Sequence, residues 1–339
     1  MKKPLRIAQI GLEHDHAGVT LESIRKLTDD FEVIGYAEVN GEIAGHKDRE
    51  KAVAGLKKYT VEELLNMDGL DAVTVETHDT QLAKYAIPFA EKGIPLHVDK
   101  PCGTDIASVT KLMETVKKNG TPFQTGYMYR FNPAVKKALE MKKNGEFGEI
   151  FSVECHMDCE HPASKREWLN TVPGGMMMFL GCHLTDLVLQ FMGIPKSIEC
   201  KSTSTHTDGV DSLDYGFTLY HYDNGLAFAK TCAREIDGFA RRQLVITGTK
   251  ATVEIYPLER YIHREGLMTT RMGVVTSDDT RGSWNDMRRY IDFDFFDRYD
   301  GMMQEFARIA RREIVNPYTP DYELELYKAV IASCGLPLV

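Results

Sequence analysis

Short apolar runs alternate with longer, more polar stretches over the first 125 residues. The runs have the length of buried strands, and the stretches between them predict helices. Strands and helices that alternate in this way are typical of an α/β fold with a doubly wound parallel sheet. We predict strands at residues 5–10, 31–37, 71–77, 94–98 and 122–125, and helices at 19–27, 61–66, 81–92 and 108–119.

The pattern changes after residue 125. Strand-like runs with longer connections dominate from there, and Asp223-Asn-Gly225 between two of them is a strong hairpin turn. We therefore predict domains at 1–125 and 126–339, the second an α/β domain with a large, mostly antiparallel open sheet. Its predicted strands lie at 150–157, 196–206, 213–221, 226–234, 243–248 and 251–256, with helices at 134–143, 302–313 and 323–332 and a loop at 265–300.

Composition narrows the classes of partner. The 339 residues carry a formal net charge of -9, which argues against nucleic acid or an anionic membrane as the main partner. No segment approaches the ~20 apolar residues of a membrane span, and no secretory signal is apparent. Seven cysteines without paired Cys-x-x-Cys spacing fit reduced thiols in the cytoplasm. Because large open sheets rarely leave a face bare, we expect a homodimer or homotetramer.

The first predicted strand runs into the turn Gly11-Leu-Glu-His-Asp-His-Ala-Gly18. A dinucleotide pyrophosphate binds at such a strand-to-helix turn, on glycines and a helix N-terminus. Gly11 matches the first glycine of Gly-x-Gly-x-x-Gly, but Glu13 and His16 stand near the other two positions, so the match is weak. Glu38, 27 residues after Gly11, is placed to bind ribose hydroxyls and favours NAD over NADP, because it would repel a 2′-phosphate.

His14 and His16 form a His-x-His pair with two open interpretations. Such a pair ligates a metal ion if a third and a fourth ligand come from elsewhere. It can equally donate hydrogen bonds to a phosphate or stack under a ribose, and we favour this role in the nucleotide loop. The sequence therefore predicts no metal site.

The stretch Leu96-His-Val-Asp-Lys-Pro101 ends a short buried strand abruptly. Proline cannot donate to a sheet ladder, and it restricts the residue before it to extended geometry. Lys100 should therefore lie at the C-terminal rim of the sheet, where open α/β folds bind their ligands. A lysine held there is a candidate catalytic or substrate-orienting group. The competing interpretation is a solvated lysine at the start of a loop.

A second informative stretch is Pro173-Gly-Gly-Met-Met-Met-Phe-Leu-Gly-Cys-His-Leu-Thr-Asp186. The paired glycines allow a tight loop with close backbone approach to a ligand. The helix that follows places His183 and Asp186 three residues apart, on one face. The competing interpretation is a core histidine hydrogen-bonded to Asp186.

Together these pieces resemble the Gfo/Idh/MocA oxidoreductases, the glucose–fructose oxidoreductase and inositol dehydrogenase group. The resemblance covers essentially the whole chain, from the strand into Gly11 through Asp99-Lys100-Pro101 and Tyr129-Arg-Phe-Asn-Pro133 to the helix of His183. It implies a Rossmann domain that binds NAD(H) or NADP(H), and oxidation or reduction of a sugar, cyclitol or related polyol. Lys100 matches the lysine of the family's Glu-Lys-Pro turn and His183 the family histidine, so the resemblance makes them the acid–base pair.

The resemblance also implies which residues contact the ligands. NAD is the expected cofactor, with NADP less favoured. The expected cofactor contacts are Gly11, His14, His16, Glu38, Thr77, Asp99 and Lys100. The expected substrate contacts are Tyr127, Arg130, His161, Trp168, Phe179 and His183.

Phe179 departs from the family pattern, which has an aspartate four residues before the histidine. An aspartate there would raise the basicity of His183 or hold the substrate. Phe179 does neither, although its ring can stack on the apolar face of a sugar. We therefore expect an unusual substrate or a changed balance of roles, with polar groups of the preceding segment, such as His156, Asp158 and His161, as candidates to compensate.

Three functions compete. The first is an NAD-dependent oxidoreductase acting on a secondary hydroxyl of a carbohydrate or polyol. The second is an NAD-assisted glycosidase, in which transient oxidation of a sugar carbon acidifies the adjacent C–H and allows elimination of the glycosidic group. The third is a non-catalytic, ligand-sensing protein of the same fold, against which the retention of Lys100 and His183 argues.

Overall fold

The computed structural model describes residues 2–262, 267–282 and 284–338. The chain forms two compact units. The first comprises Met1–Tyr127 and Tyr299–Tyr327, and the second Met128–Arg298 and Lys328–Val339. We predicted one boundary, between residues 125 and 126, whereas in the structure the chain returns to the first unit near its end.

The first part of the chain forms a six-stranded parallel sheet with helices between the strands. In chain order its elements are β1 (Leu5–Ile10), α1 (Ala17–Lys26), β2 (Phe31–Ala37), α2 (Lys47–Ala52), β3 (Lys58–Tyr59), α3 (Val61–Leu65), β4 (Ala72–Val75), α4 (Leu82–Glu91), β5 (Leu96–Val98), α5 (Ile106–Asn119) and β6 (Phe123–Thr125). The strand order is β3-β2-β1-β4-β5-β6, which is that of the Rossmann fold. The predicted doubly wound parallel sheet is confirmed.

Burial explains why these short runs are strands. All four residues of β4 and all three of β5 are buried, as expected for central strands of a parallel sheet covered on both faces. The strand order reverses between β1 and β4, and ligands of such sheets bind outside the carboxyl ends of the strands at this point. The segments that follow β1, β4 and β5 therefore meet at one edge.

Two helix ends show local chemistry that fixes where a helix begins or ends. The Glu63 N–H donates to the Thr60 hydroxyl at 3.1 Å, and the Thr60 N–H donates to the Glu63 carboxylate at 2.7 Å, which forms a capping box at the start of α3. α5 ends at Gly120, whose φ of 58° is the left-handed conformation that glycine adopts without strain.

The second part of the chain forms an eight-stranded mixed sheet. In chain order its elements are α6 (Pro133–Lys143), β7 (Ile150–His156), α7 (Ala163–Trp168), α8 (Cys182–Met192), β8 (Ser197–Thr203), β9 (Tyr215–Tyr222), β10 (Gly225–Cys232), β11 (Gln243–Gly248), β12 (Ala251–Ile255), β13 (Arg260–Tyr261), β14 (Met268–Thr269), β15 (Arg271–Thr276), α9 (Ser277–Thr280) and β16 (Arg289–Asp292). The strand order in the sheet is β16-β15-β12-β11-β7-β10-β9-β8, with β7 and β10 parallel and the other pairs antiparallel. β13 and β14 form a separate two-stranded sheet. The predicted large, mostly antiparallel sheet is confirmed, and α8 packs on β7 and β10.

Two helices complete the chain. α10 (Asp300–Ala310) belongs to the first unit, and α11 (Pro320–Ser333) begins in the first unit and ends in the second. α10 packs against α1 and β6, where Gln124 Nε2 donates to the Met302 carbonyl at 3.2 Å. This packing shows why the last part of the chain joins the Rossmann sheet.

The prediction of a loop at 265–300 is wrong where the structure has β14, β15, α9 and β16. β15 pairs with β12, and β16 pairs with β15 at the edge of the sheet. All four residues of β16 are exposed. Because neither face of this strand is buried, its sequence does not need the alternation of apolar and polar residues that predicts a half-buried strand. Glu265, Gly266 and Ser283 of the predicted loop lie outside the described residues.

Over the described ranges, no helix has the length and apolar character that crossing a membrane requires. The seven cysteines are free thiols, and six of them are buried.

Gly11→Ala should destabilise the first unit. Gly11 has a φ of +80°, and a Cβ there would lie 2.6 Å from Thr77 Cγ2 and 2.9 Å from Thr77 Cα. Left-handed backbone alone costs a non-glycine residue about 1–2 kcal/mol. With the clash added, we expect scanning calorimetry to show a melting temperature lower by at least ~4 °C.

Gly18→Ala is the matched control in the same turn. Gly18 is inside α1, and no atom from other parts of the described chain would lie within 4 Å of a Cβ there. Alanine is better than glycine in a helix by roughly 0.5–1 kcal/mol. Its melting temperature should stay constant or rise. Equal losses in both variants would contradict the close approach of Gly11 to Thr77.

Candidate active site

The Asp99-Lys100-Pro101 turn follows β5 directly, at the C-terminal edge of the parallel sheet. The Asp99 N–H donates to the Val75 carbonyl at 3.1 Å, and the Lys100 N–H donates to Asp99 Oδ1 at 2.6 Å. Both residues are buried, with Lys100 0% and Asp99 1% exposed. The competing interpretation of Lys100 as a solvated loop residue is therefore wrong.

The Asp99 carboxylate contacts two imidazoles of the turn between β1 and α1. Asp99 Oδ2 lies 3.0 Å from His14 Nδ1 and 3.1 Å from His16 Nδ1. All three side chains are buried. The sequence predicted each of them separately as a cofactor contact, and the structure shows that they contact one another. Their contact with a cofactor stays a prediction.

Further buried ionisable groups surround these three residues, and the sequence analysis missed them. Glu76 Oε2 lies 3.9 Å from His14 Nδ1, and Asp79 Oδ1 lies 3.5 Å from His14 Nε2. His97 Nε2 lies 3.8 Å from Glu76 Oε1. The sequence did contain a signal for this group of charges. Glu76 ends one apolar strand and His97 interrupts another, and the carboxyl ends of these strands meet at one edge of the sheet. We call His14, His16, Glu76, Asp79 and Asp99 the acid–imidazole cluster.

Burial and neighbouring charges set the protonation states of this cluster. Burial alone would lower the pKa of His14, but the Asp99 and Asp79 carboxylates raise it to about 9. Burial lowers the pKa of His16 to about 4, against the attraction of Asp99. Burial, reinforced by the Asp99 charge, raises the pKa of Glu76 well above its usual range. At neutral pH these shifts favour a cationic His14 and a neutral His16, and they make Glu76 harder to ionise than a carboxyl group in water.

The turn between β1 and α1 keeps features that suit a dinucleotide. Gly11 allows the turn to approach Thr77, and α1 is open at Gly18, where no atom would meet a Cβ. A cleft of about 360 Å³ lies there, lined by the turn with Leu12, by α1 with Val19 and by α2 with Arg49. N–H groups and the dipole of a helix N-terminus attract a pyrophosphate. The residues present therefore fit NAD or NADP at this edge.

The turn differs from a glycine-rich one in its backbone hydrogen bonds. The Leu12 N–H donates to the Glu42 carboxylate at 3.0 Å, and the N–H groups of Glu13 and His14 both donate to the Glu76 carbonyl at 3.1 Å. Backbone groups that would otherwise face a phosphate are thus satisfied by the protein. The N-terminus of α1 remains for the pyrophosphate.

Glu38 lies just after β2, where the sequence predicted it, and carries a partner that the sequence did not reveal. Its carboxylate forms an ion pair with Lys58 and accepts from the Ile43 N–H at 2.9 Å. The hydrogen bond from Lys58, followed by that from Ile43, lowers the pKa of Glu38. Glu38 is therefore ionised at neutral pH, but Lys58 offsets part of its repulsion of a 2′-phosphate.

His183 lies in the first turn of α8 and is buried. The segment before it, Met177–Gly181, is a π-helix, so the predicted helix after the glycine pair begins with this wider turn. Such turns are rare and occur frequently at functional sites. The ring of Tyr129 packs edge-on against His183, with centroids 5.3 Å apart and an angle of 82°.

Tyr129, to which the sequence analysis gave no role, is held by a buried charge network. Its hydroxyl donates to Glu259 and accepts from Arg242 Nη1 at 2.9 Å and from Arg298 Nη2 at 3.2 Å. Both guanidinium groups also donate to Glu259 Oε1, at 2.6 and 2.5 Å. Burial raises the pKa of Tyr129, so the phenol stays neutral. The network fixes the ring beside His183.

Arg130 and Asp186 form a buried ion pair. Arg130 Nε lies 3.1 Å from both carboxylate oxygens, and Nη2 lies 2.8 Å from Oδ1. Gln190 Nε2 also donates to Asp186, at 2.8 Å. The pair braces α8 against the segment that contains Arg130. Asp186 therefore has a charged partner, Arg130, that the competing interpretation of Asp186 as the partner of His183 did not include. Substrate binding by Arg130 stays a prediction.

Three of the predicted substrate residues lie together in the second unit. The ring centroid of Phe179 lies 5.3 Å from that of Trp168 and 6.2 Å from that of His161. Lys165 Nζ lies 3.3 Å from the centroid of Trp168 and 4.7 Å from that of Phe179. They form an aromatic group with an adjacent cation. Tyr127, another predicted contact, is buried in the first unit.

The glycine pair serves packing within the chain. Gly174 and Gly175 have φ of +83° and +56°. A Cβ at these positions would lie 2.7 Å from Cys334 Cβ and 2.4 Å from the Leu213 carbonyl oxygen, respectively. The close approach that we predicted for a ligand is made here by Cys334 and Leu213.

Asp158, a candidate to compensate for Phe179, is buried just after β7. Burial raises its pKa to about 6, although Lys230, whose Nζ lies 3.2 Å from Oδ1, lowers it. Its carbonyl accepts from Arg242 Nε at 3.2 Å, which connects it to the network of Tyr129. A carboxyl group with such a pKa can act as an acid or a base near neutral pH.

Two family profiles match this chain, one over the Rossmann sheet and one over the second sheet. A family profile described as oxidoreductase family, NAD-binding Rossmann fold, matches residues 5–127, and the profile of the GFO/IDH/MocA C-terminal domain matches residues 135–254. The fold and these two matches thus define a member of a Rossmann-fold family of oxidoreductases. The chain belongs to the Gfo/Idh/MocA family, and the predicted resemblance is confirmed.

Known relatives match part or most of the chain. The NADP-dependent D-xylose 1-dehydrogenase 2 of Haloferax volcanii is 26% identical over 166 residues, which is 48% of this chain and 50% of that enzyme. The NAD-dependent scyllo-inositol 2-dehydrogenase of Bacillus subtilis is 24% identical over 283 residues, 80% of this chain and 78% of that enzyme. The chain thus spans about half the length of the first relative and most of the second.

Solved structures share the fold over nearly the whole chain. An oxidoreductase from Thermotoga maritima has a TM-score of 0.77 and 16% identity, covering 98% of this chain and 96% of its own. A 3-ketoreductase from Actinomadura kijaniata, solved with TDP-benzene and NADP, has a TM-score of 0.74 and 16% identity, covering 97% and 96%. At this identity the likeness concerns the fold alone.

Arg130→Met should destabilise the second unit strongly, because it leaves the Asp186 carboxylate buried without its guanidinium partner. Breaking such a pair from one side costs about 3–5 kcal/mol. We expect scanning calorimetry to show a melting temperature lower by roughly 10 °C.

The double variant Arg130→Met/Asp186→Leu completes the cycle for this pair. It removes both charges and should recover at least about half of the loss seen in Arg130→Met. Losses that simply add would show that the two side chains do not form the pair.

Proposed function

We propose that the protein is an NAD(P)-dependent oxidoreductase that oxidises or reduces a secondary hydroxyl or ketone of a sugar, cyclitol or related polyol. The complete burial of Lys100 at the C-terminal edge of the Rossmann sheet carries the proposal. An ammonium group is costly to bury, and this edge is where such folds bind their cofactor and substrate. The D-xylose and scyllo-inositol dehydrogenases among the relatives support this substrate class.

The chemistry requires stabilisation of charge and removal of a proton. NAD(P), when bound, supplies a nicotinamide that exchanges hydride with the substrate carbon. Lys100 stabilises the alkoxide that develops on the substrate oxygen. His183 takes the hydroxyl proton, for which an imidazole is suited near neutral pH. Tyr129, fixed by its charge network, holds the His183 ring in place.

We assign the aromatic group of His161, Trp168 and Phe179 to substrate binding. Aromatic faces cover the apolar faces of sugars, and Lys165 beside them adds a hydrogen-bond donor for hydroxyl groups. Phe179 then contributes contact area where the family has a carboxylate.

We propose NAD as the preferred cofactor. The turn at Gly11 and the N-terminus of α1 would hold the pyrophosphate, and Glu38 would accept hydrogen bonds from the ribose hydroxyls. The ionised state of Glu38 supports this preference, whereas its ion pair with Lys58 limits it.

We also propose that copies of the chain associate through the outer face of the eight-stranded sheet, as a homodimer or homotetramer. Phe217 and Phe228 stack there with centroids 5.6 Å apart, and Leu226 is 49% exposed. Apolar side chains grouped on an open sheet favour a partner surface. The free thiols suit a reducing compartment such as the cytoplasm.

Lys100→Met should abolish turnover while NAD still binds. Methionine fills the volume of the lysine but supplies no charge to the alkoxide, so we expect kcat to fall at least ~10²-fold. The measurement is NADH formation with a panel of cyclitols and sugars that includes scyllo-inositol and D-xylose, together with calorimetric binding of NAD.

Lys111→Met, which replaces an exposed lysine on α5, is the control and should keep full turnover. Unchanged turnover in Lys100→Met would remove Lys100 from the chemistry. Release of an aglycone from glycosides without NADH accumulation would favour the glycosidase. Ligand binding by the native chain without any turnover would favour the sensing protein.

Glu38→Gln should shift the cofactor preference towards NADP. The amide keeps the size of the side chain but not its charge, and Lys58 is then free to attract a 2′-phosphate. We expect the ratio of the NAD Kd to the NADP Kd, measured by calorimetry, to rise about tenfold or more.

Glu32→Gln, at an exposed position of β2, should leave that ratio unchanged. If Glu38→Gln also leaves it unchanged, Glu38 does not contact the ribose.

A further inference from the structure

We propose that the acid–imidazole cluster binds a divalent transition-metal ion of the zinc class, with His14, His16, Asp99 and Glu76 as ligands. The sequence favoured no metal here because a His-x-His pair lacks its third and fourth ligands. The structure supplies two carboxylates from the ends of other strands. The site is additional to the proposed oxidoreductase chemistry.

The donor atoms already converge. One imidazole nitrogen of His14, one of His16 and a carboxylate oxygen of Asp99 lie within 4.8 Å of one another. Asp99 Oδ2 is 3.0 Å from the first nitrogen and 3.1 Å from the second. Ligands about 2.0–2.2 Å from a tetrahedral zinc ion are separated by roughly 3.3 Å. Small movements of these side chains would therefore complete the coordination.

Glu76 supplies an independent indication. It is 0% exposed, and neither carboxylate oxygen makes a well-formed hydrogen bond among the described residues, although the Thr20 hydroxyl and the Asp99 carboxyl lie close enough to act on it. Its Oε2 faces His14 Nδ1 at 3.9 Å. Buried carboxyl oxygens are nearly always hydrogen-bonded or bound to a cation. Glu76 is thus the fourth ligand that the histidine pair lacked.

The charges of the cluster also favour a divalent cation. Glu76, Asp79 and Asp99 bring three buried carboxyl groups together, and Lys100, which acts electrostatically on them, brings one ammonium. With neutral imidazoles, the ionised group carries two negative charges, which one divalent ion neutralises. Protons on Glu76 and His14 are the alternative, and the experiment below separates the two.

The ligand types select the class of metal. Two imidazole nitrogens with two carboxylate oxygens suit zinc and its neighbours, whereas magnesium and calcium prefer oxygen ligands alone. Outer hydrogen bonds orient the ligands: the Lys100 N–H donates to Asp99 Oδ1, and the Glu76 carbonyl accepts from the His14 N–H. All four ligands are buried, so the ion would be structural and would fasten the turn of His14 to the ends of β4 and β5.

The test compares zinc binding by the chelator-stripped native chain and three variants. His14→Gln and His16→Gln remove one ligand each, and His46→Gln removes an exposed histidine of the same unit as the control. Calorimetry and elemental analysis should show one zinc per native or His46→Gln chain. Affinity should fall at least 100-fold in the other two variants, and magnesium should not bind at the site.

Melting temperature gives a second readout. Zinc at about 100 times its Kd should raise it by several degrees in the native chain and in His46→Gln, but not in the ligand variants. If those variants fail to fold, the visible spectrum of Co²⁺ bound to the native chain decides: intense bands of a tetrahedral site support the proposal, and an octahedral spectrum overturns it.

Two other results would also overturn the zinc proposal: no stoichiometric zinc in the native chain, or equal zinc affinity in His14→Gln, His16→Gln and His46→Gln. The buried carboxylates would then be neutralised by protons and not by a metal ion. NAD binding and turnover are measured separately in each chain. Loss of the metal proposal therefore leaves the oxidoreductase proposal intact.

Discussion

Mutual neutralisation of buried charges is the constraint on which the edge of the first sheet depends. Asp99, Glu76 and Asp79 are each at most 1% exposed, and a carboxylate in such a position is stable only beside opposite charge or hydrogen-bond donors. The imidazoles of His14 and His16 provide that environment for Asp99. They stand where a Rossmann turn usually has small residues. The contacts of His14 and His16 with Asp99 therefore determine both the shape of the turn after β1 and the burial of the turn after β5. Lys100 shares this environment, which explains how a lysine can be fully buried there.

The fold of the first unit could be predicted largely from the sequence because its signals are local. Thr60 and Glu63 cap their helix as their spacing predicts, and Gly120 ends the next long helix in the left-handed conformation. The errors arise where structure depends on distant packing. β16 forms because β15 offers it a partner edge, although its own sequence has no alternation. The return of α10 to the first unit rests on contacts such as Gln124 with Met302, which no local pattern shows.

In the candidate site, too, features set by local sequence could be predicted, whereas contacts between distant residues could not. Strand ends and turn chemistry were enough to predict where Gly11, Asp99 and Lys100 lie. The partners of the predicted residues were not visible, because they are far apart in sequence: Arg130 pairs with Asp186, and Tyr129 contacts Glu259, Arg242 and Arg298. Which side chains converge depends on strand register and helix packing, and these are global properties. Lys58 beside Glu38 is a further example, because it comes from a strand of two residues.

The π-helix at Met177–Gly181 affects how positions can be compared between relatives. An α-helix advances about 100° per residue, so residues four apart share a face. A π turn contains one residue more, which rotates the side chains before it by roughly that angle relative to those after it. Phe179 lies within this turn, and His183 follows it. A spacing of four residues therefore describes the same geometry in two chains only when both contain the additional residue, and an insertion or deletion there would change the direction of one side chain relative to the other.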